Sequence, residues 1–325
     1  MEKLKIAQIQ NLQEGMYRVG IPIPFPMKYV YCYLIEDESG YTLVDTGLNY
    51  KKARAAWDEV FQELTLTPSS IHTIIVTHFH PDHSGLAGYL QEKTGADVWM
   101  SETDRAMFDL AFVRNKEQAV HVEKLLRKHG TPQNLIDSIL ENLENITAHV
   151  QPFADSYVIK ENEFEIGKMK WKIHETPGHS QGHLCFYQEE EKVLLSADMI
   201  LDKITPNISV WPGGSEQPLR DYLSSLNRLK ELSINQVWPG HGEIVHAAEL
   251  RIDELLHHHE DRLSKLRNLI DGQTCFEITE KLFAERNLTS HQWRFAIGET
   301  LAHLEHLVHN NEIKKIEGNP LRYGI

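Results

Sequence analysis

The residues best suited to chemistry fall in one short run, Thr77-His78-Phe79-His80-Pro81-Asp82-His83-Ser84-Gly85. Three imidazoles and a carboxylate within six residues suit zinc and its first-row neighbours. Ile74-Ile75-Val76, just before them, is apolar and β-branched, which places the run where a buried strand ends. Leu86 and Leu90 follow one helical turn apart and predict a helix leaving the loop. A pair of histidines in a turn is ordinarily solvated. Four donors on a strand-to-helix loop point to a metal instead. Three positions farther along repeat the theme. Thr176-Pro177-Gly178 sets a tight turn before His179, which presents that ring rather than burying it. The apolar strand from Lys192 to Ala197 ends on Asp198, where a lone acid is usually a cap or turn residue. His241 sits between Gly240 and Gly242, whose backbone freedom lets the chain turn sharply and the imidazole point inward.

Taken in order, H-x-H-x-D-H at 78–83, T-P-G-H-S-x-G-H at 176–183, Asp198 and G-H-G at 240–242 resemble the motifs of the metallo-β-lactamase superfamily. The resemblance implies an α/β fold, an αββα sandwich around a one- or two-metal site, over residues 1–246. It implies that His78, His80 and His179 hold one metal, that Asp82, His83 and His241 hold a second, and that Asp198 bridges them. Three nitrogen donors would leave the first metal an open position for water, as catalytic zinc requires. His183 is expected to be structural, hydrogen-bonded near the site. The implied cofactors are two divalent ions, zinc first, with manganese or iron as alternatives. The implied activity is hydrolysis by a metal-bridging hydroxide of an ester, thioester, lactone or phosphodiester. Asp82 is given a second, catalytic role, passing a proton to the leaving group.

Departures from sub-families narrow the choice. His80 stands where flavodiiron oxygen reductases have Glu, which argues against a redox di-iron centre. True metallo-β-lactamases have Cys or Ser near position 198, so antibiotic hydrolysis is not expected. Glyoxalase II-like thioesterases share the ligand set. Persulfide dioxygenases use one iron held by two His and one Asp, a subset of these residues, and stand as an alternative.

The elements that must position these groups can be read from pattern. Met16 to Tyr41 predicts antiparallel strands joined by the proline-stiffened loop Pro22-Ile23-Pro24-Phe25-Pro26, either an ordinary hairpin or a roof over the site. Tyr41–Val44 runs into Asp45-Thr46-Gly47, which reads as a strand-to-helix turn; by resemblance, Asp45 orients a ligand histidine from behind. Ala53–Leu64 predicts an amphipathic helix, Ile71–Val76 the strand feeding the ligand loop, and Asp97–Met100 another strand. Residues from about 101 to 150 turn helical and polar, with a start signal at Ser101-x-x-Asp104 and a break at Gly130-Thr131-Pro132. This insertion covers the site or mediates a homodimer, and His121 and His129 within it are expected to be solvated. Asn162–Lys172 reads as a hairpin. The loop Pro206–Trp211 is a candidate for substrate selection.

Residues 247–325 predict a long helix to about Ile270, helices at Phe276–Ala284 and Ser290–His309, and a terminal hairpin. That order suggests a small winged-helix-like module, similar to the appendage of endoribonuclease-type β-lactamase-like proteins. Adjacent His257, His258 and His259 project in different directions on a helix and cannot chelate one ion together. From Arg251 onward ten Lys or Arg face twelve Asp or Glu, a net of −2, and the whole chain carries −14. RNA or DNA binding through this module is therefore disfavoured, and packing against the site or dimerisation is preferred. A small-molecule substrate is the expected partner. Three scattered cysteines, no apolar core of signal-peptide length and no membrane-length apolar span fit a reducing cytoplasm.

Overall fold

The structure, a computed structural model, describes residues 5–325. Met1–Leu4 lie outside the described residues. Two sheets stack face to face. The first contains β1 (Gln8–Gln13), β2 (Met16–Pro22), β3 (Tyr29–Glu36), β4 (Tyr41–Val44), β5 (Ile71–Ile75), β6 (Asp97–Met100) and β7 (Ser156–Val158), side by side in sequence order. Its β1–β4 edge is antiparallel and its β4–β7 edge parallel. The second contains β8 (Glu163–Ile166), β9 (Met169–Glu175), β10 (Leu184–Gln188), β11 (Val193–Ala197) and β12 (Gln236–Pro239), in the order β12-β11-β10-β9-β8. Only β11 and β12 pair parallel there.

Period-two alternation decides which residues fill which layer. On β3, Tyr33 and Ile35 enter the core between the sheets, where they meet Trp171, Phe186, Leu195 and Trp238. Val30, Cys32 and Leu34 point the other way, toward α1 (Lys51–Glu63), where Trp57 and Val60 are buried. On β10, Leu184 and Phe186 face inward, while Cys185 and Tyr187 join a third core under α7 (Pro218–Lys230) and α8 (Ala248–Arg267). Helices thus cover both outer faces, giving the αββα sandwich that the sequence predicts.

The ligand run follows β5. Its residues Pro81–Ser84 form a single turn, α2, and α3 (Ala87–Thr94) departs from it. The insertion contains α4 (Glu102–Phe108), α5 (Asn115–Lys128) and α6 (Gln133–Thr147). Ser101 caps α4 by accepting from the Asp104 N–H at 3.1 Å. His121 is exposed as expected, but His129 is not solvated. It is buried at the end of α5, stacks on Tyr323 with ring centroids 6.1 Å apart, and burial pushes its pKa down to about 4. The ring fills the seam between the insertion and the C-terminal strands, a contact invisible from local polarity.

The largest element beyond the sequence reading is α7. Its signals are present in retrospect: Pro218 in the first turn, then Leu219, Tyr222, Leu226 and Leu229 buried at helical spacing. Beyond α8 come β13 (Gln273–Thr274), α9 (Cys275–Leu282), α10 (Ser290–His309), β14 (Lys314–Ile316) and β15 (Arg322–Gly324). The expected helix pair and terminal hairpin are thus present, and β13 adds a third strand in the order β13-β15-β14. Of the three adjacent histidines, His257 is exposed, whereas His259 is buried and packs on His303, Nδ1 to Nε2 3.1 Å. The buried residues of α10 all lie between Ala296 and Leu307, nine of its 20, and form the face that packs on the rest of the chain. No helix among the described residues is long and apolar enough to cross a membrane.

Candidate metal centre

All seven predicted ligand residues converge at one edge of the sandwich. His78, His80, Asp82 and His83 follow β5, His179 follows β9, Asp198 follows β11 and His241 follows β12. Backbone bonds hold these strand ends together: Leu184 N–H donates to Thr77 O at 3.0 Å, Gly240 N–H to Ala197 O at 2.8 Å and Tyr31 N–H to Gly240 O at 2.7 Å. Donor atoms of His78, His80 and His179 lie within 4.8 Å of one another, as do those of Asp82, His83 and His241. Asp198 stands between these groups. Its Oδ2 is 3.5 Å from His179 Nε2 and 3.7 Å from His241 Nε2, and its Oδ1 is 3.4 Å from His83 Nε2.

Each of four imidazoles is turned by a bond at its far side. His83 Nδ1 is 2.8 Å from Asp45 Oδ2, which places Asp45 behind that ring, where the resemblance put it. Asp45 also accepts from Thr77 N–H at 2.8 Å and from the Thr77 hydroxyl at 2.9 Å. That hydroxyl, its proton committed to Asp45, accepts from His78 Nδ1–H at 3.0 Å. His179 Nδ1–H donates to Asn207 O at 2.9 Å and His241 Nδ1–H to Tyr29 O at 2.8 Å. With Nδ1 carrying the proton, Nε2 of His78, His179 and His241 presents a lone pair to the centre. Nε2 of His78, His83 and His241 and Oδ1 of Asp198 are buried without a hydrogen-bond partner. Such orphaned acceptors are costly unless something electrophilic sits among them, and a nitrogen and oxygen set of this kind is able to hold metal ions.

Burial and the neighbouring imidazoles hold His78 and His80 well below the usual histidine range, hence neutral and able to ligate. Burial acts the same way at His83 and His241, but the carboxylates of Asp198, Asp45 and Asp82 override it and raise both rings above that range, so these two must release a proton before they can ligate. Burial opposes ionisation of Asp198 too, yet His241 and His83 override it and keep the carboxyl well below its ordinary value. His183 is fully buried beside the cluster, Nδ1 2.9 Å from Thr176 Oγ1, and joins none of the donor groups.

One positioning residue escaped the sequence reading. Asp104, noted only as part of a helix start, is fully buried and accepts from Phe79 N–H at 2.9 Å, Ser180 Oγ–H at 2.7 Å and Gly182 N–H at 2.6 Å. It fastens the loop of His78 and His80 to the loop of His179. Burial raises its pKa to about 6 against the pull of those bonds. No local signal separates an acid capping a helix from one reaching into the core. Glycine at 240 has a specific reason: a Cβ there would come 2.5 Å from Asp198 Oδ1 and 2.7 Å from His83 Cε1.

The profile of the Metallo-beta-lactamase superfamily matches residues 26–241, about two thirds of the chain and all seven of these side chains. The chain belongs to that superfamily. A second profile, Metallo-beta-lactamase-like, C-terminal domain, matches residues 263–324. Over 95% of this chain and 98% of its own length, the Probable metallo-hydrolase YqjP of Bacillus subtilis is 26% identical. The atrochrysone carboxyl ACP thioesterase of Aspergillus fumigatus is 20% identical over 77% of this chain and 62% of its own. Among solved structures, a metallo-beta-lactamase family protein of Thermus thermophilus shares 35% identity and superposes with a TM-score of 0.87, covering 97% of this chain and 99% of that one. The protein is an MBL-fold hydrolase.

A cavity of about 1200 Å³ opens over the cluster. Its floor includes His80, Asp82, His179 and Asp198, and its walls come from three separate places. The loop Pro24–Met27 supplies one, as a roof rather than a free hairpin. The insertion supplies the second through Met107, Phe112 and Leu143. Trp211 and the start of α10, with His291, Arg294 and Phe295, supply the third. Phe25 stacks on His291 with centroids 5.3 Å apart and planes within 2°, joining roof to module.

Proposed function

We propose that the protein is a two-metal hydrolase acting on the acyl bond of a small ester, thioester or lactone with an apolar body. The observation that carries this reading is the set of inward-facing, buried and unpartnered donor atoms beneath a largely apolar cavity. His78, His80 and His179 would hold one ion, Asp82, His83 and His241 the other, with Asp198 shared. When bound, such ions supply hydroxide near neutral pH and draw negative charge from a carbonyl oxygen, zinc being the ion best suited to this donor set.

The chain's own residues do the rest. Asp45, Thr77, Asn207 and Tyr29 fix the rings so that no reorganisation is needed during reaction. Water adds to the acyl carbon, the bond to sulfur or oxygen breaks, and the leaving atom takes a proton. Asp82 is the residue proposed to carry that proton: its carboxylate borders the cavity and is held ionised by His241 and His83 against the effect of burial, so it would take a proton from the attacking water and pass it to the leaving atom. Phe79, Met107 and Phe112 keep bulk water from the acyl chain. The relative named as an ACP thioesterase supports an acyl rather than a phosphoryl substrate.

Elemental mass spectrometry of the purified protein tests the reading. About two zinc or manganese ions per chain are expected, and Asp198→Ala is expected to lose metal and turnover together. About one iron per chain, with oxygen uptake on a persulfide, would replace hydrolysis with dioxygenation.

A further inference from the structure

Among the charged groups around the cavity, Arg294 is anomalous. Lys116, Glu141 and Glu144 also border it, but they lie toward its open rim. The guanidinium of Arg294 is packed inside, against the ring of Phe295 at 4.4 Å and that of Trp211 at 5.4 Å. Its Nε is buried without a hydrogen-bond partner. Among the described residues no carboxylate pairs with it: Glu299 on the same helix is matched with Arg262 at 3.4 Å instead. Burial alone, with no opposing acid, pulls its pKa down to about 10, which still leaves it charged at neutral pH.

A half-buried cation without a counter-charge, its Nε shut away from water, is unfavourable, and proteins rarely keep one without a use. Ring faces satisfy the flat sides of a guanidinium and leave its in-plane N–H donors open. Those donors form a fork matched to a carboxylate or a phosphate. Arg294 is also held in place: Thr289 and Gln292 form a reciprocal capping box at the start of α10, fixing the turn that carries it. Asn207, whose carbonyl orients His179, reaches Phe295 O and Glu299 Oε2 on the same helix at 3.5 and 3.4 Å. The donor cluster and the cation thus border one cavity, whose lining is largely apolar, and Asn207 links them through its contacts to His179 and α10.

We propose that Arg294 is a specificity-determining residue that binds an anionic group of the substrate, a carboxylate or phosphate remote from the scissile bond. The substrate class becomes an acyl ester or thioester with an apolar chain and an anionic tip. This rests on the acyl-hydrolase reading above for the reacting end, but not for the binding of the tip.

The test uses the zinc-loaded protein and its Arg294→Met and Arg294→Lys variants. Paired thioesters differ only at the chain tip: carboxylate, phosphate or a neutral methyl ester, over a series of chain lengths. The wild type is expected to prefer one anionic tip, and the identity of that tip separates the two sources. Arg294→Met is expected to lose about 10- to 100-fold in kcat/KM on that tip, mostly through KM, with the neutral substrate little changed. Arg294→Lys is expected to recover part of the loss. Equal losses on charged and neutral tips, or none, would overturn the assignment. Calorimetric binding of aliphatic monoacids and matching diacids or ω-phospho acids provides a readout without turnover. A preference for the doubly anionic ligand that vanishes in Arg294→Met supports the anion site even if no thioester is cleaved, in which case the acyl-hydrolase reading alone fails. Absence of that preference at every chain length removes the proposal.

Discussion

Asp104→Asn is the substitution whose consequences follow most directly from the geometry. The amide keeps the shape of the carboxylate and one acceptor oxygen, enough for Phe79 N–H and Ser180 Oγ–H, which share Oδ2. Its NH2 then faces the Gly182 N–H that now lies 2.6 Å from Oδ1. One buried backbone donor loses its acceptor, a cost of roughly 1–3 kcal/mol. Against this stands the charge. The folded protein raises the Asp104 pKa from 3.8 to about 6, so the group's contribution to stability is whole below about pH 4 and declines as pH rises through about 6. A shift of about two units corresponds to roughly 3 kcal/mol in full, of which about 1.5 kcal/mol falls between about pH 5 and pH 8. Asparagine does not titrate.

Urea unfolding of metal-stripped wild type and variant, at matched pH values across that window, measures the difference. The wild type should hold its largest advantage near pH 5, and that advantage should shrink by about 1.5 kcal/mol toward pH 8. A pH-independent difference would refute the raised pKa. The second readout is zinc affinity, measured by chelator competition. Because Asp104 fastens Phe79 to Ser180 and Gly182, loosening it lets His179 drift from His78 and His80, with an expected loss of about 10- to 100-fold. Unchanged affinity would show that the strand ends hold the loops without it.

Two further substitutions probe the support of the centre. Asp45→Asn puts an N–H donor opposite His83 Nδ1 or deprives Thr77 N–H of its partner; zinc stoichiometry by elemental analysis should fall below that of wild type at equal free zinc, with an affinity loss of about 10- to 100-fold. Gly178→Ala forces a φ of +144° onto a residue with a side chain and sets its Cβ 2.5 Å from Tyr222 Cα; denaturation should show a loss of about 1–3 kcal/mol, and unaltered stability would mean that α7 yields easily.

The convergence of these seven donors was legible because its chemistry is written locally. Each follows an apolar strand, and turn-forming residues beside it fix which way the side chain points, as Pro177-Gly178 does for His179 and Gly240 for His241. Strand and helix limits around β5, α1 and α10 followed from apolar periodicity for the same reason. What could not be read depends on residues far apart in sequence. Asp104 lies 78 positions from Gly182, and its polarity is as suited to a helix start as to a buried tie. His129 sits on a polar helix, and only the distant Tyr323 makes it a core residue. Arg294 counted in the sequence as one cation in an acidic module; its significance comes from the acids that are missing around it.

This division has a functional consequence. The cage is assembled from the ends of β5, β9, β11 and β12, whereas the cavity walls come from a roof loop, an insertion and a terminal module. Specificity can therefore change without disturbing the metal ligands, as expected where function resides in sites grafted onto a fold. The two parts are nevertheless joined. Asn207 holds His179 through its carbonyl and reaches α10 through its amide, and Val210 N–H donates to Gly298 O at 3.1 Å on the same helix. The helix that carries Arg294 is therefore tied, through Asn207, to the loop that orients His179, so a change in the module that alters the cavity wall must preserve that one contact to leave the donor cluster undisturbed.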